Sequence, residues 1–205
     1  MSSLSAIILT YNEEKHLKRC LESVSKLCED IIVVDSYSTD QTKNISEKFN
    51  VNFVQNKWIN YSTQLNWAIK NVQIKSEWIL RIDADEYLSD ELIHNLKNKI
   101  LKVDKSINGL TFNRLMFFMF WYVGAAFFID KTLKRGGMYP ISHLRIWRNG
   151  FGYCEQRWMD ERIILKSGST LHIIGDLIDY NLNDITWWTN KHNHYATREA
   201  IDFFN

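Results

Sequence analysis

The sequence predicts an α/β protein on a Rossmann-like, mostly parallel central sheet flanked by helices, and three observations predict it. Short apolar runs alternate with stretches of helical spacing from Ser5 to Leu101. Two of those runs stop at carboxylates, Asp35 and Asp83, where open α/β sheets gather their ligand-binding groups. No repeat or low-complexity linker divides the 205 residues, a length that suits one core.

Ser5 to Thr10 (SAIILT) reads as a buried strand. Glu13 to Leu27 follows as a helix capped by Asn12, with Leu17, Leu21, Val24 and Leu27 on one face. Ile31 to Val34 is a second strand, and Ser38 and Gln41 have the spacing of a capping box opening a helix to about Phe49. Val51 to Val54 is a weaker strand, Ser62 to Val72 a helix, and Trp78 to Ile82 a strand running into Asp83-Ala84-Asp85. Asp90 to Leu101 is a helix with Leu92, Leu96 and Ile100 inward. Beyond it the regularity changes to an α+β half on the same sheet. Gly109 to Phe118 and His143 to Trp147 are strands there, divided by a loop holding Gly136, Gly137 and Pro140. Ile185 to Phe204 reads as a final helix. The expected organisation is a single domain over 1–205, with residues 1–105 and 106–205 as its two halves.

Lys and Arg total 25 against 24 Asp and Glu, which excludes the clustered basic excess of a nucleic-acid binder. Cys20, Cys28 and Cys154 are odd in number without CxxC spacing, and Met1-Ser2-Ser3-Leu4 lacks the features of a signal peptide, so the expected compartment is the cytoplasm. The apolar run Leu115 to Ile129 is shorter than the roughly 20 residues of a spanning helix. Two readings of it stand: a buried strand with a core turn at Gly124, or an apolar surface for a membrane or a lipid-linked substrate.

Thr10-Tyr11, Asp35-Ser36 and Asp83-Asp85 each fall just past a predicted strand, so they should meet at one sheet edge. Two carboxylates two residues apart repel unless a cation or shared proton neutralises them, and hard divalent ions take such oxygen ligands. A metal–diphosphate site is one reading, and a solvated acidic turn that includes Glu86 and Asp90 is the other. A tyrosine at that edge can stack on a base, and a carboxylate can accept from a base imide or a ribose hydroxyl.

Thr10-Tyr11-Asn12-Glu13, Ile32-Val33-Val34-Asp35-Ser36 with Ser38-Thr39-Asp40, and Asp83-Ala84-Asp85-Glu86 resemble family 2 glycosyltransferases of the GT-A fold. The likeness runs on through Gln64, Asn66 and Ala68, Gly136-Gly137, Tyr139-Pro140, Leu144-Arg145, Arg157 to Glu161, and Trp187-Trp188 to Tyr195-Ala196. The pattern is similar to bacterial lipopolysaccharide-core and exopolysaccharide enzymes. It implies inverting transfer from a nucleotide sugar, first a UDP-sugar, to a saccharide or lipid-linked saccharide, at the cytoplasmic face of the inner membrane with peripheral contact.

By the same resemblance, Thr10, Tyr11, Glu13 and Asp35 line the nucleoside, and Gln64, Asn66 and Ala84 belong to the donor site. Asp83 and Asp85 serve ribose, diphosphate and Mn²⁺ or Mg²⁺, with Asp85 the first-choice ligand. Asp179, in place of a histidine of some relatives, completes the metal shell, a surface turn being its alternative. The base that takes the acceptor hydroxyl's proton lies in the pair Asp160-Glu161, Glu161 ahead of Asp160. Arg135 and Arg145 are candidate diphosphate or acceptor contacts, with a solvated surface position as the alternative. His192 and His194 lie roughly 200° apart on a helix, so they do not share an ion from there. Ser36 and Leu65 depart from the pattern, where many members carry aspartate and a basic residue. Relatives continue past the Tyr195 to Ala200 helix into an amphipathic segment, so a chain trimmed at its C-terminus is expected.

Two other classes compete. Sugar-1-phosphate nucleotidyltransferases carry a Gly-rich, Arg-containing loop after the first strand, and Thr10 to Glu13 has no glycine. A degenerate transferase kept as a sugar-binding scaffold is the non-enzyme alternative.

Overall fold

A computed structural model describes residues 3–118, 131–132, 139–158 and 160–204. The first half contains β1 (Leu4–Thr10), α1 (Leu17–Val24), β2 (Asp30–Asp35), α2 (Thr42–Glu47), β3 (Asn52–Gln55), α3 (Tyr61–Asn71), β4 (Trp78–Asp83), β5 (Glu86–Leu88) and α4 (Asp90–Lys99). The second contains β6 (Ile107–Phe118), β7 (Lys131–Thr132), β8 (Ser142–Arg148), β9 (Gly152–Cys154), β10 (Ile163–Leu165), β11 (Ser169–Tyr180) and α5 (Ile185–Phe204).

The main sheet runs β3-β2-β1-β4-β8-β6-β11-β5, with β7 paired to β6. Its first four strands are parallel; β8 then joins antiparallel, β11 lies parallel to β6, and β5 closes antiparallel on β11. This is the GT-A arrangement, an α/β sheet with flanking helices. β9 and β10 form a separate antiparallel pair.

Every residue of β1 is buried because the strand is covered on both faces, which is why it reads as an unbroken apolar run. Successive side chains go to opposite sides. Ala6 and Ile8 join Leu17, Leu21, Val33, Leu80, Leu92 and Leu96 in one core layer, while Ile7 and Leu9 join Ile32, Leu65, Ala68, Ile79 and Trp147 in the other.

Several expectations need correcting. α1 begins at Leu17, four residues later than Glu13, because Asn12 takes a left-handed conformation (φ 55°) and its side chain accepts from the Thr39 N–H of the next loop instead of capping a helix. Ser38 likewise caps nothing. Its hydroxyl donates to Asp35, and Asp40 accepts from the Thr42 N–H at the start of α2. β3 lies one residue later than expected. β5, the β9–β10 pair and the 12-residue β11 were not expected at all. β11 escapes the alternation test because its register with β6 shifts between His172 and Asp176. Gly175 sits in that irregularity at φ 120°, and a Cβ there would lie 2.6 Å from the Leu92 backbone, so a side chain would force α4 off the strand. The proposed turn at Gly124 and the residues Arg135, Gly136 and Gly137 lie outside the described residues.

Candidate active site

Parallel register brings the strand ends together: Thr10 pairs with Asp35, and Leu9 with Asp83. The Thr10 hydroxyl donates to Asp35 Oδ1 at 3.0 Å. Asp35, fully buried, also accepts from the Ser38 N–H and hydroxyl and from Gln55 Nε2. Its hydrogen bonds hold the loop after β2 to the strand before it. Asn12 and Glu13 N–H groups donate to Ser38 and Thr42, lacing that loop to the one after β1. Tyr11 (60% exposed) and Tyr37 (56%) flank this buried knot and offer ring faces to a ligand. Tyr37 was not anticipated. Its signal is the left-handed φ of 62°, which a sequence does not display.

Asp83 and Asp85 have different neighbours. The Tyr61 hydroxyl donates to Asp83 Oδ1 at 2.5 Å, and Arg145 Nη1 lies 3.5 Å from Oδ2. Burial raises the Asp83 carboxyl, but Arg81, Arg145 and the Tyr61 hydroxyl outweigh it and hold the group well below the usual carboxylate range. Asp85 points instead to a cavity, where its Oδ2 accepts from Asn181 Nδ2 at 3.0 Å. Ala84 between them is buried.

Glu86 is completely buried, which overturns the solvated-turn reading for it. It accepts from Arg145 Nη2 at 2.8 Å and from the Asp83 N–H at 3.0 Å, with Arg114 Nε 3.4 Å away. Burial pushes its carboxyl up while Arg145 and Arg114 pull against that. Arg145 is therefore an interior residue, 4% exposed, and not a surface one. The same guanidinium groups keep His143 on β8 uncharged: burial first, then Arg145 and Arg114, push it down to about 4. Asp179, next to last in β11, lies opposite Glu86 and is gripped by Arg114 Nη2 at 2.5 Å, so it belongs to a strand and not to a surface turn. Burial raises its carboxyl.

Asp85 and Asp179 share one cavity of about 250 Å³ with Arg114, Asn181, Lys191 and Tyr195. Arg19 of α1 fixes its floor by donating to the carbonyls of Asp85 (3.0 Å) and Tyr180 (2.5 Å). His16, also buried, accepts the Leu182 N–H at Nε2, which leaves Nδ1 to donate to Glu13 at 2.7 Å. Glu13 is raised by burial and by Asp85, against the opposing His16 bond. It is a link between the β1 loop and the start of α5. His192 stacks on Trp188 with centroids 3.7 Å apart, while His194 is exposed.

Among the described residues no three His, Cys, Asp or Glu side chains converge as a ready-made metal cage. Mg²⁺ and similar ions are commonly held by one or two carboxylates, with substrate phosphates and water completing the shell. Asp85, on the cavity wall with Asn181 as its donor, fits that requirement, with Asp179, paired to Arg114, on the same wall; Asp83, held by Tyr61 and Arg145, fits it less well.

Gln64 and Asn66 use their amides on the protein. Buried Gln64 donates to Ser36 Oγ and the Asn56 carbonyl, and Asn66 exchanges two bonds with the Cys154 backbone. They brace the loops after β2 and β3 and seat β9 on α3. Arg81, which sequence reasoning missed, stacks over Tyr61 at 4.1 Å, donates to its hydroxyl at 2.7 Å, and holds the Glu161 carbonyl at 3.1 Å. The period-2 alternation of β4 was the available signal, since Arg81 and Asp83 share a face. Asp160 is exposed with φ 51°, whereas burial raises the half-buried Glu161 carboxyl.

Residues 5–159 match the sequence pattern of Glycosyl transferase family 2. The chain belongs to that family. It is 28% identical to the lipopolysaccharide core biosynthesis glycosyltransferase LpsC of Rhizobium meliloti, over 96% of this chain and 70% of LpsC. A Rickettsia bellii protein named a glycosyltransferase is 43% identical over 43% of this chain and 30% of its own length. The chain thus spans about a third of the Rickettsia relative it matches. TarS from S. aureus, crystallised with UDP-GlcNAc, shares the fold at a TM-score of 0.55 and 19% identity, over 88% of this chain and 59% of TarS.

Proposed function

We propose that this glycosyltransferase-family chain transfers a sugar, with inversion, from a nucleotide diphosphate sugar to a glycan or lipid-linked acceptor of the bacterial surface, the lipopolysaccharide core foremost. The observation that carries the reading is the meeting of the Thr10–Asp35 pair, the 83–85 turn and the Glu161 loop at one sheet edge, joined by Arg81 and Tyr61. Residues 1–105 form most of the donor side, and 106–205 the acceptor side together with Asp179 at the diphosphate.

Tyr11 and Tyr37 offer faces to the base, with Asp35 behind them. Asp85, with Asp179 beside it, would hold Mn²⁺ or Mg²⁺. That ion would supply Lewis-acid neutralisation of the diphosphate as the bond to the sugar breaks. Glu161 takes the proton of the acceptor hydroxyl while that oxygen attacks the anomeric carbon from the side opposite the leaving diphosphate. Burial suits it to this role by bringing a carboxyl's proton affinity toward neutral pH. Asp160, exposed beside it, is the alternative base.

Calorimetric titration with UDP tests the reading, and UDP goes first because TarS of the same fold binds UDP-GlcNAc. Binding that needs Mn²⁺ and disappears in Asp85→Ala is expected, followed by product of inverted anomeric configuration in a UDP-sugar screen. A chain that binds no nucleoside diphosphate is a scaffold, a reading favoured by one observation: Asp35 already has four internal donors. LpsC points to the lipopolysaccharide core, hence to the cytoplasmic face of the inner membrane, with exposed Ile185 and Trp187 of α5 as the contact.

A further inference from the structure

We infer that Lys191 of α5 is a diphosphate-binding residue that neutralises the leaving group in the cavity it shares with Asp85. The inference rests on the donor reading above and adds a residue that it leaves unused.

Three features of the structure converge on Lys191. It is the lysine of the cavity wall, and it faces a space whose other charged groups include Asp85, Asp179 and Arg114. Its ammonium is positioned by aromatic faces, 4.7 Å from the Trp187 ring centre and 5.6 Å from that of Tyr195, the first four residues behind it and the second four ahead on the same helix. A lysine stem held between two rings loses less freedom on meeting a ligand than a free surface lysine does. The helix itself is anchored at this end: Asp184 accepts the Trp187 N–H at 2.8 Å, and Lys15 reaches Asn183 at 3.0 Å.

The chemistry follows from charge. When the bond between the anomeric carbon and the diphosphate oxygen breaks, its electron pair stays on that oxygen, and the β-phosphate gains about one unit of negative charge. Asp85 and Asp179 cannot stabilise that charge themselves. A fixed ammonium in the same cavity donates to a phosphate oxygen, and the bond strengthens as the charge develops. A nucleoside monophosphate lacks the second phosphate and should not sense the residue.

The experiment is calorimetric titration of the full chain with UDP, GDP and dTDP in the presence of Mn²⁺, then with the monophosphate of whichever binds. It is repeated on Lys191→Gln, Lys191→Met and Lys191→Arg. Losing one hydrogen bond to a charged group weakens diphosphate binding about 10- to 100-fold in Gln and Met. Monophosphate binding should move less than about threefold, while Arg stays within about fivefold of wild type. Met keeps the packing between Trp187 and Tyr195, so a loss shared by Gln and Met reads the charge. An unchanged diphosphate affinity, or an equal loss for diphosphate and monophosphate, overturns the inference while leaving the donor reading intact. Wild type binding none of the three diphosphates overturns both.

Discussion

Asp83 and Asp85 are separated by one buried alanine and look into opposite regions of the molecule. Asp83, part-buried, faces Tyr61, Arg81 and Arg145, where its charge is matched. Asp85 faces a cavity in which Asn181 is its hydrogen-bond donor. Two carboxylates of one short motif therefore divide the work: one ties strands together, and the other stays open to a ligand. The same division separates Glu86 from Asp179. The first is sealed under two arginines, and the second is held at the cavity rim by one of them.

The largest effect expected from breaking this division concerns the loop that the Asp83 side supports. Glu161→Gln should lower kcat by about 10²- to 10⁴-fold, the usual contribution of a general base, while UDP affinity stays within error. In wild type the rate should fall with acidity through a value above the ordinary carboxylate range, because burial raises Glu161. A pH profile with no acid limb, or a Gln variant that turns over normally, would assign the base elsewhere.

Next is Asp83→Ala. Removing this member of a part-buried ion-paired group leaves Arg81 without a carboxylate partner and Arg145 with Glu86 alone, at a cost of about 3 kcal/mol in urea unfolding. The pH dependence has a definite sign. Arg81, Arg145 and Tyr61 depress the Asp83 carboxyl in the folded protein, so its contribution is complete above about pH 4, the unfolded value, and is lost as pH falls below it. Unfolding midpoints measured from pH 6 to pH 2 should therefore drop less steeply in Asp83→Ala than in wild type.

Asp85→Ala should do the reverse of Asp83→Ala. Unfolding should move by less than about 1 kcal/mol, while catalytic efficiency falls at least about 100-fold. If both alanine variants lose stability alike, the two aspartates do not differ in role. Smallest is Tyr61→Phe, which removes the hydrogen bond to Asp83 and the one accepted from Arg81 and should cost about 1–2 kcal/mol in the same unfolding assay.

The half of the fold built from residues buried on both faces was legible in the sequence, because β1, β2 and β4 have no choice but to be apolar. The edge where Thr10, Asp35 and Asp83 meet follows from those strands alone. What stayed hidden depends on residues distant in the chain. Nothing local tells that Arg145, some sixty residues after Asp83, will claim that aspartate, or that Asn12 and Ser38 will bond across loops instead of capping helices. β11 was missed because a glycine irregularity breaks its alternation, and with it went the strand context of Asp179.

The sheet order places β5 against β11, four strands away from β4, although only Ala84 and Asp85 separate β4 from β5 in sequence. The acidic turn is thus pinned between two elements whose pairing depends on strands from the far end of the chain. Asp85 holds its position only while the whole pairing order exists, so a ligand bound there is linked to global unfolding. At one hundred times its dissociation constant such a ligand would add about 2.7 kcal/mol to the stability of the entire domain. For this chain, a rise in melting temperature is therefore a report on the Asp85 edge itself.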